Sequence, residues 1–202
     1  VESLATAIKE LSSPSRTERV NFGSRPDVVA GERFIERGEQ KQLNSLIADP
    51  MRRRTVLVGM RGCGKSQLAS LLAQQCEYAK WNLVAWLNAT SNKTIQSELV
   101  ELARRLHIDA SDNPPPDTII RRCLDHLKSE NPSDRLVVFD SVEDIHHLRD
   151  LIPRGDGLRV IATTTNKVGW EDQGWKTIKV GVFDRDESIG YLLTVTNSDD
   201  CE

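Results

Sequence analysis

Eight consecutive residues constrain this chain more than any others: Gly59-Met60-Arg61-Gly62-Cys63-Gly64-Lys65-Ser66. They follow Thr55-Val-Leu-Val58, a short apolar run rich in β-branched residues, and they precede apolar positions at helical spacing. A strand, a glycine-rich turn and a helix in that order form a cradle for phosphate. Glycine lets backbone N–H groups turn inward where a side chain would collide. The helix N-terminus adds positive potential. Lys65 supplies a point charge for the outer phosphates, and Ser66 offers a hydroxyl to magnesium. The contact set predicted for the phosphates is Gly59, Arg61, Gly62, Cys63, Gly64, Lys65, Ser66 and Gln67, with Arg61 and Cys63 contributing backbone N–H groups.

Around this motif, short apolar runs alternate with helical patterns. Strands are predicted at 55–58, 83–87, 136–139, 160–163 and 177–180, and helices at 65–79, 95–106, 118–128 and 186–195. That alternation predicts an α/β fold, a three-layer sandwich around a mainly parallel, five-stranded sheet. Residues 1–30 are polar, are broken by Pro14 and Pro26, and read as a linker or N-terminal arm. Residues 31–182 read as the phosphate-binding domain, and 183–202 as the start of a truncated helical domain. The first residue, Val1, and the abrupt end at Glu202 suggest a piece of a longer protein.

An apolar strand ending in an acid is expected beside the phosphate strand, and Arg135-Leu-Val-Val-Phe-Asp140 fits. Asp140 would join Ser66 in holding magnesium, through a bound water. Lys65 and Asp140 are therefore the candidate catalytic groups. The residue after Asp140 is Ser141, which cannot act as a base at neutral pH. Glu143 is the candidate substitute base, and slow hydrolysis is the expectation.

Composition excludes several classes. Of the 202 residues, 38% are apolar and 28% charged, a soluble globular balance. A net charge of −3 gives no electrostatic push towards nucleic acid. The clusters Arg52-Arg53-Arg54, Arg104-Arg105 and Arg121-Arg122 read as solvated faces. No apolar run approaches the roughly 20 residues that span a bilayer. Cys63, Cys76, Cys123 and Cys201 lack metal-binding spacing, so a reducing cytoplasm is the default. His146-His147 has no further ligand placed to complete a metal site. Asn166-Lys167 sits where a guanine-reading motif would, but its fourth position is Gly169 rather than aspartate, which leaves adenine as the expected base.

Five stretches then resemble the nucleotide-binding domain of STAND NTPases, the NB-ARC class, in particular bacterial members with downstream tetratricopeptide repeats. They are Phe34-Ile-Glu-Arg37 with Glu39 and Leu43; Val84-Ala-Trp86-Leu-Asn88-Ala89; Leu136 to Asp144; Leu151-Ile-Pro153 with the strand Val160 to Thr164; and Phe183 to Glu187 with Tyr191-Leu-Leu193. The resemblance implies an ATP/ADP-operated switch that binds Mg2+ and is completed by downstream helical, winged-helix and possible repeat domains. It implies that the segment before the phosphate loop covers the adenine, with Val29 and Phe34 candidates to pack on the base, Phe34 reading equally as a core anchor, and Arg37 either at the nucleotide or paired with a nearby glutamate. One departure is plain: the family's strand-end arginine is replaced by Thr165. An efficient ATPase or small-molecule kinase is the alternative, and a DNA-binding initiator-like ATPase the third reading. In isolation the domain is expected to be a monomer.

Overall fold

The computed structural model describes residues 19–28, 37–49, 53–108, 114–128, 134–155 and 157–196. In chain order the elements are β1 (Val20–Phe22), α1 (Gly38–Ala48), β2 (Arg54–Val58), α2 (Lys65–Tyr78), β3 (Leu83–Asn88), α3 (Asn92–Arg105), α4 (Pro116–Lys128), β4 (Arg135–Val142), β5 (Leu158–Thr164), β6 (Lys176–Lys179) and α5 (Arg185–Thr196). Short 3-10 turns cover Ile145–Leu148 and Glu171–Gln173.

All strand pairings are parallel, in the order β1-β3-β4-β5-β2-β6. The sheet therefore has six strands, not the expected five. The sixth is β1, in the segment read as an arm; Val20 sits opposite Leu83 and extends the sheet at its edge. A second expectation also changes. The strand ending in Asp140 does not pair with the phosphate strand, because β5 lies between β4 and β2.

The central strands alternate between two cores. Val56 and Val58 of β2, Val137 and Phe139 of β4, and Val160 and Ala162 of β5 face one side, with Ile95, Leu99, Leu102, Cys123 and Leu127 of α3 and α4. Leu57, Leu136, Val138 and Ile161 face the other, with Leu68, Ala69, Leu72 and Cys76 of α2. Burial on both faces explains why these strands read as continuous apolar runs instead of alternating ones. The two tryptophans of the β5–β6 connection are core residues: Trp170 and Trp175 are buried and meet edge to face with ring centroids 5.1 Å apart.

The chain after β1 runs along α2. Arg25 donates to Ser70 Oγ at 3.1 Å and to Glu77 Oε2 at 2.8 Å, and Ser70 Oγ donates to the Pro26 carbonyl at 2.6 Å. These contacts hold residues 25 and 26 against α2. The start of α3 has a local cause. The Ser91 hydroxyl accepts from Thr94 N at 3.1 Å and caps α3. Asp117 does not cap α4; it lies inside the first turn, where its charge complements the helix dipole.

Candidate nucleotide-binding site

The carboxyl end of β2 meets the N-terminus of α2, and Gly59–Gly64 makes the turn between them. The chain leaves β2 and next enters the sheet at β3, two strands beyond its neighbour β5, whereas β5 leads to β6 on the other side of β2; such a reversal of direction is where open parallel sheets place ligands, at the carboxyl ends of the strands. Two glycines are dictated by geometry. Gly64 has φ of 95°, a left-handed conformation, immediately before the helix. At Gly59 an added Cβ would lie 2.2 Å from the Val180 carbonyl oxygen, because β6 presses against the start of the loop.

Lys65 is buried, and its Nζ donates to the Met60 carbonyl at 2.7 Å across the loop. Cys63 is buried behind the turn, and Arg61 and Met60 are exposed. Gln67 lies one position beyond Ser66, and its amide donates to the Asp27 carbonyl at 3.1 Å. It thereby ties α2 to the segment leading out of β1.

On the opposite wall, Asp140 Oδ1 accepts two hydroxyl hydrogens, from Ser66 Oγ at 2.7 Å and from Thr163 Oγ1 at 2.6 Å. A bulge makes this possible. The β4–β5 register shifts between Phe139 and Val142, so β4 carries one extra residue there. Ser141 takes the strain, with φ of 65°, and its N–H donates to Thr163 Oγ1 at 2.8 Å. The bulge turns Asp140 towards the loop even though β5 intervenes.

The Ser66 hydroxyl gives its hydrogen to Asp140 and keeps its lone pairs for a cation. A hydroxyl beside a carboxylate is the all-oxygen donor set that suits magnesium, which otherwise keeps waters and phosphate oxygens. The residues present thus fit a magnesium nucleotide. Thr163 was missed as a site residue by sequence reasoning. Its only signal was a hydroxyl near the end of an apolar strand.

The remaining candidates fall into three places. Glu143 is exposed in the turn after β4, while Asp144 caps the following 3-10 turn by accepting from His146 N at 2.9 Å. Arg37 is buried; it donates to the Cys63 carbonyl at 2.9 Å and pairs with Glu39 at 3.1 Å. Val29 and Phe34 lie outside the described residues.

A parallel sheet buried on both faces, a phosphate loop opening a helix and an acid aimed at the loop serine together define a P-loop nucleotide-binding domain. Within that class, residues 40–200 match the NB-ARC domain model, and the chain belongs to that family of STAND-class P-loop NTPases. It is 28% identical over 174 residues to an Arabidopsis thaliana protein named "Putative disease resistance protein"; the match covers 76% of this chain and 14% of that protein. The chain therefore spans only a small part of that relative's length. Two solved structures share the fold. Cdc6p from Pyrobaculum aerophilum matches with a TM-score of 0.56 and 15% identity, over 94% of this chain and 53% of that one. A Pyrococcus horikoshii STAND protein with a tetratricopeptide repeat sensor matches with a TM-score of 0.50 and 16% identity, over 92% of this chain and 28% of that one. Among the described residues, no helix is long and apolar enough to cross a membrane.

Proposed function

We propose that this chain is the ATP/ADP-binding module of a regulatory switch: it holds a magnesium nucleotide and hydrolyses ATP slowly. The observation that carries the reading is the Ser66–Asp140–Thr163 cluster with Ser141 beside it. This all-oxygen arrangement beside the phosphate loop supports the reading of a metal-nucleotide site. Ser141, the residue after the magnesium acid, offers no carboxylate to polarise a water. Glu143 is the acid left to test as a substitute base, since Asp144 is engaged as a cap.

Residues 1–30 then serve as the approach to the domain, 31–182 as its nucleotide-binding body, and 183–202 as the beginning of a helical domain. What supports a downstream partner in the same protein is α5, which exposes Ile189, Leu192 and Leu193. The Pyrococcus protein with its repeat sensor supports the same arrangement. An intracellular setting is the natural one for a module working on ATP and ADP.

In a switch of this kind, each nucleotide must bind the two states unequally. The first experiment is to denature freshly purified protein and identify the released small molecules, with Lys65→Ala alongside. Bound ADP that disappears in the variant is the expected result. Bound GDP would overturn the adenine reading. Rapid turnover of added ATP, lost in Glu143→Gln, would favour an outright ATPase instead.

A further inference from the structure

Behind the phosphate loop, one guanidinium joins three parts of the chain. Arg37 is only 6% exposed. Its Nη1 donates to the Cys63 carbonyl at 2.9 Å, and its Nη2 donates to the Gly181 carbonyl at 2.9 Å and to Glu39 Oε1 at 3.1 Å. Glu39 Oε1 in turn accepts from Gly181 N at 3.2 Å. Nε lies 3.7 Å from Glu187 Oε1 and has no hydrogen-bond partner. The guanidinium also stands 5.2 Å from the ring centroid of Phe183.

Two features turn this cluster into a link. The first lies at the loop. The Cys63 carbonyl and the Gly64 N–H belong to one planar trans peptide, so they point in opposite directions. A donor fixed on that carbonyl fixes the direction of the N–H, and it polarises the N–H towards any acceptor on the far side. Gly64, at φ of 95°, has no side chain of its own to hold this peptide in place. The second lies at α5. Asp184 and Glu187 form a reciprocal capping box: Glu187 N donates to Asp184 Oδ1 at 2.8 Å, and Asp184 N donates to Glu187 Oε2 at 3.0 Å. The carboxylate that caps α5 is therefore the one that faces Arg37.

We infer that Arg37 is a positioning residue that orients the 63–64 peptide for phosphate and couples the filling of the loop to the seating of α5 through Gly181 and Glu187. The inference rests on the nucleotide-binding reading above. Phosphate on the Gly64 N–H strengthens the Arg37 bond to the same peptide. The guanidinium, held harder there, holds Gly181 and Glu187 harder as well. Linkage makes the effect reciprocal: whatever tightens α5 on Arg37 must raise nucleotide affinity by the same factor.

Glu187→Gln tests this with the fold kept intact. Glutamine is accepted at this position of a capping box, so α5 keeps its cap and loses only the charge facing Arg37. Hydrogen exchange of the amides of residues 185–196 is measured with and without Mg-ADP, and Mg-ADP affinity is measured by calorimetry. In the wild-type chain, Mg-ADP should slow exchange in α5. In Glu187→Gln that slowing should shrink, and affinity should fall about threefold to tenfold although the residue touches no loop atom. Arg37→Lys, which keeps the charge but loses the fork, should lose affinity and coupling together. Wild-type affinity in Glu187→Gln, or α5 exchange indifferent to bound Mg-ADP, overturns the coupling and leaves the nucleotide reading standing. A wild-type chain that binds neither Mg-ADP nor Mg-ATP removes both.

Discussion

At the scale of single residues, the site depends on one carboxylate oxygen shared by two hydroxyls. Thr163 is the informative member, because it lies on β5 rather than in the loop yet holds Asp140 and receives the Ser141 N–H. Thr163→Val keeps the shape and removes the hydroxyl, leaving the Ser141 N–H without that acceptor. Losing a hydrogen bond to a charged group costs about 1.5–3 kcal/mol. The expected outcome is a fall in magnesium-dependent ADP affinity of at least about tenfold, with metal-free ADP binding nearly unchanged. Titrating ADP with magnesium and then with chelator separates the two; equal losses in both would mean that Thr163 supports the fold rather than the metal site. The turn into α2 was legible, because a position with φ of 95° calls for the glycine found at Gly64, and Lys65 and Ser66 complete a local sequence motif. Thr163 was not, since its role exists only after β4 and β5 are side by side and a bulge shifts their register.

At the scale of elements, the sequence carried most where burial is complete. The runs at β2, β4 and β5 are apolar on both faces, and their helices carry apolar stripes, so their positions were readable to within a few residues. The strand β1 was not. It has three residues, only Val20 of them buried, and its pairing partner lies some 60 residues away, at Leu83. No local periodicity can announce such an edge. The inner faces of α2 and α4 yield a test. Burial pushes the thiols of Cys76 and Cys123 up to about 12, with Glu77 and Asp134 adding to the effect at Cys76. At pH 8 only about one molecule in 10,000 would carry either thiolate, and neither sulfur is open to solvent. Maleimide labelling of the native chain should therefore leave both cysteines unmodified for hours. Both should react together when denaturant unfolds the domain, which mass spectrometry of peptides resolves. Fast labelling of Cys123 in native buffer would mean that α4 opens locally.

At the scale of the whole molecule, parallel strands under two helical layers followed from the alternation of elements, but strand order did not. Nothing local says that β5 enters between β4 and β2; the order is set by which long crossovers fit over each face. The same scale distinguishes faces the chain buries from faces it leaves open. Leu57 is fully buried between layers, whereas on α5 Ile189, Leu192 and Leu193 are 46%, 59% and 56% exposed. A leucine truncated in the core costs about 2–5 kcal/mol. An exposed side chain that supports nothing costs within about 0.5 kcal/mol. If α5 offers its apolar side to a part of the protein beyond this chain, replacing Ile189, Leu192 and Leu193 with serine one at a time should leave the urea midpoint almost unmoved. It should also reduce the binding of a hydrophobic dye such as ANS. Leu57→Ala should lower the midpoint sharply in the same assay. A loss of several kcal/mol from any of the three serine variants would place that face inside this domain's own packing. α5 would then be the closing element of the nucleotide-binding body, and the domain boundary would move beyond residue 196.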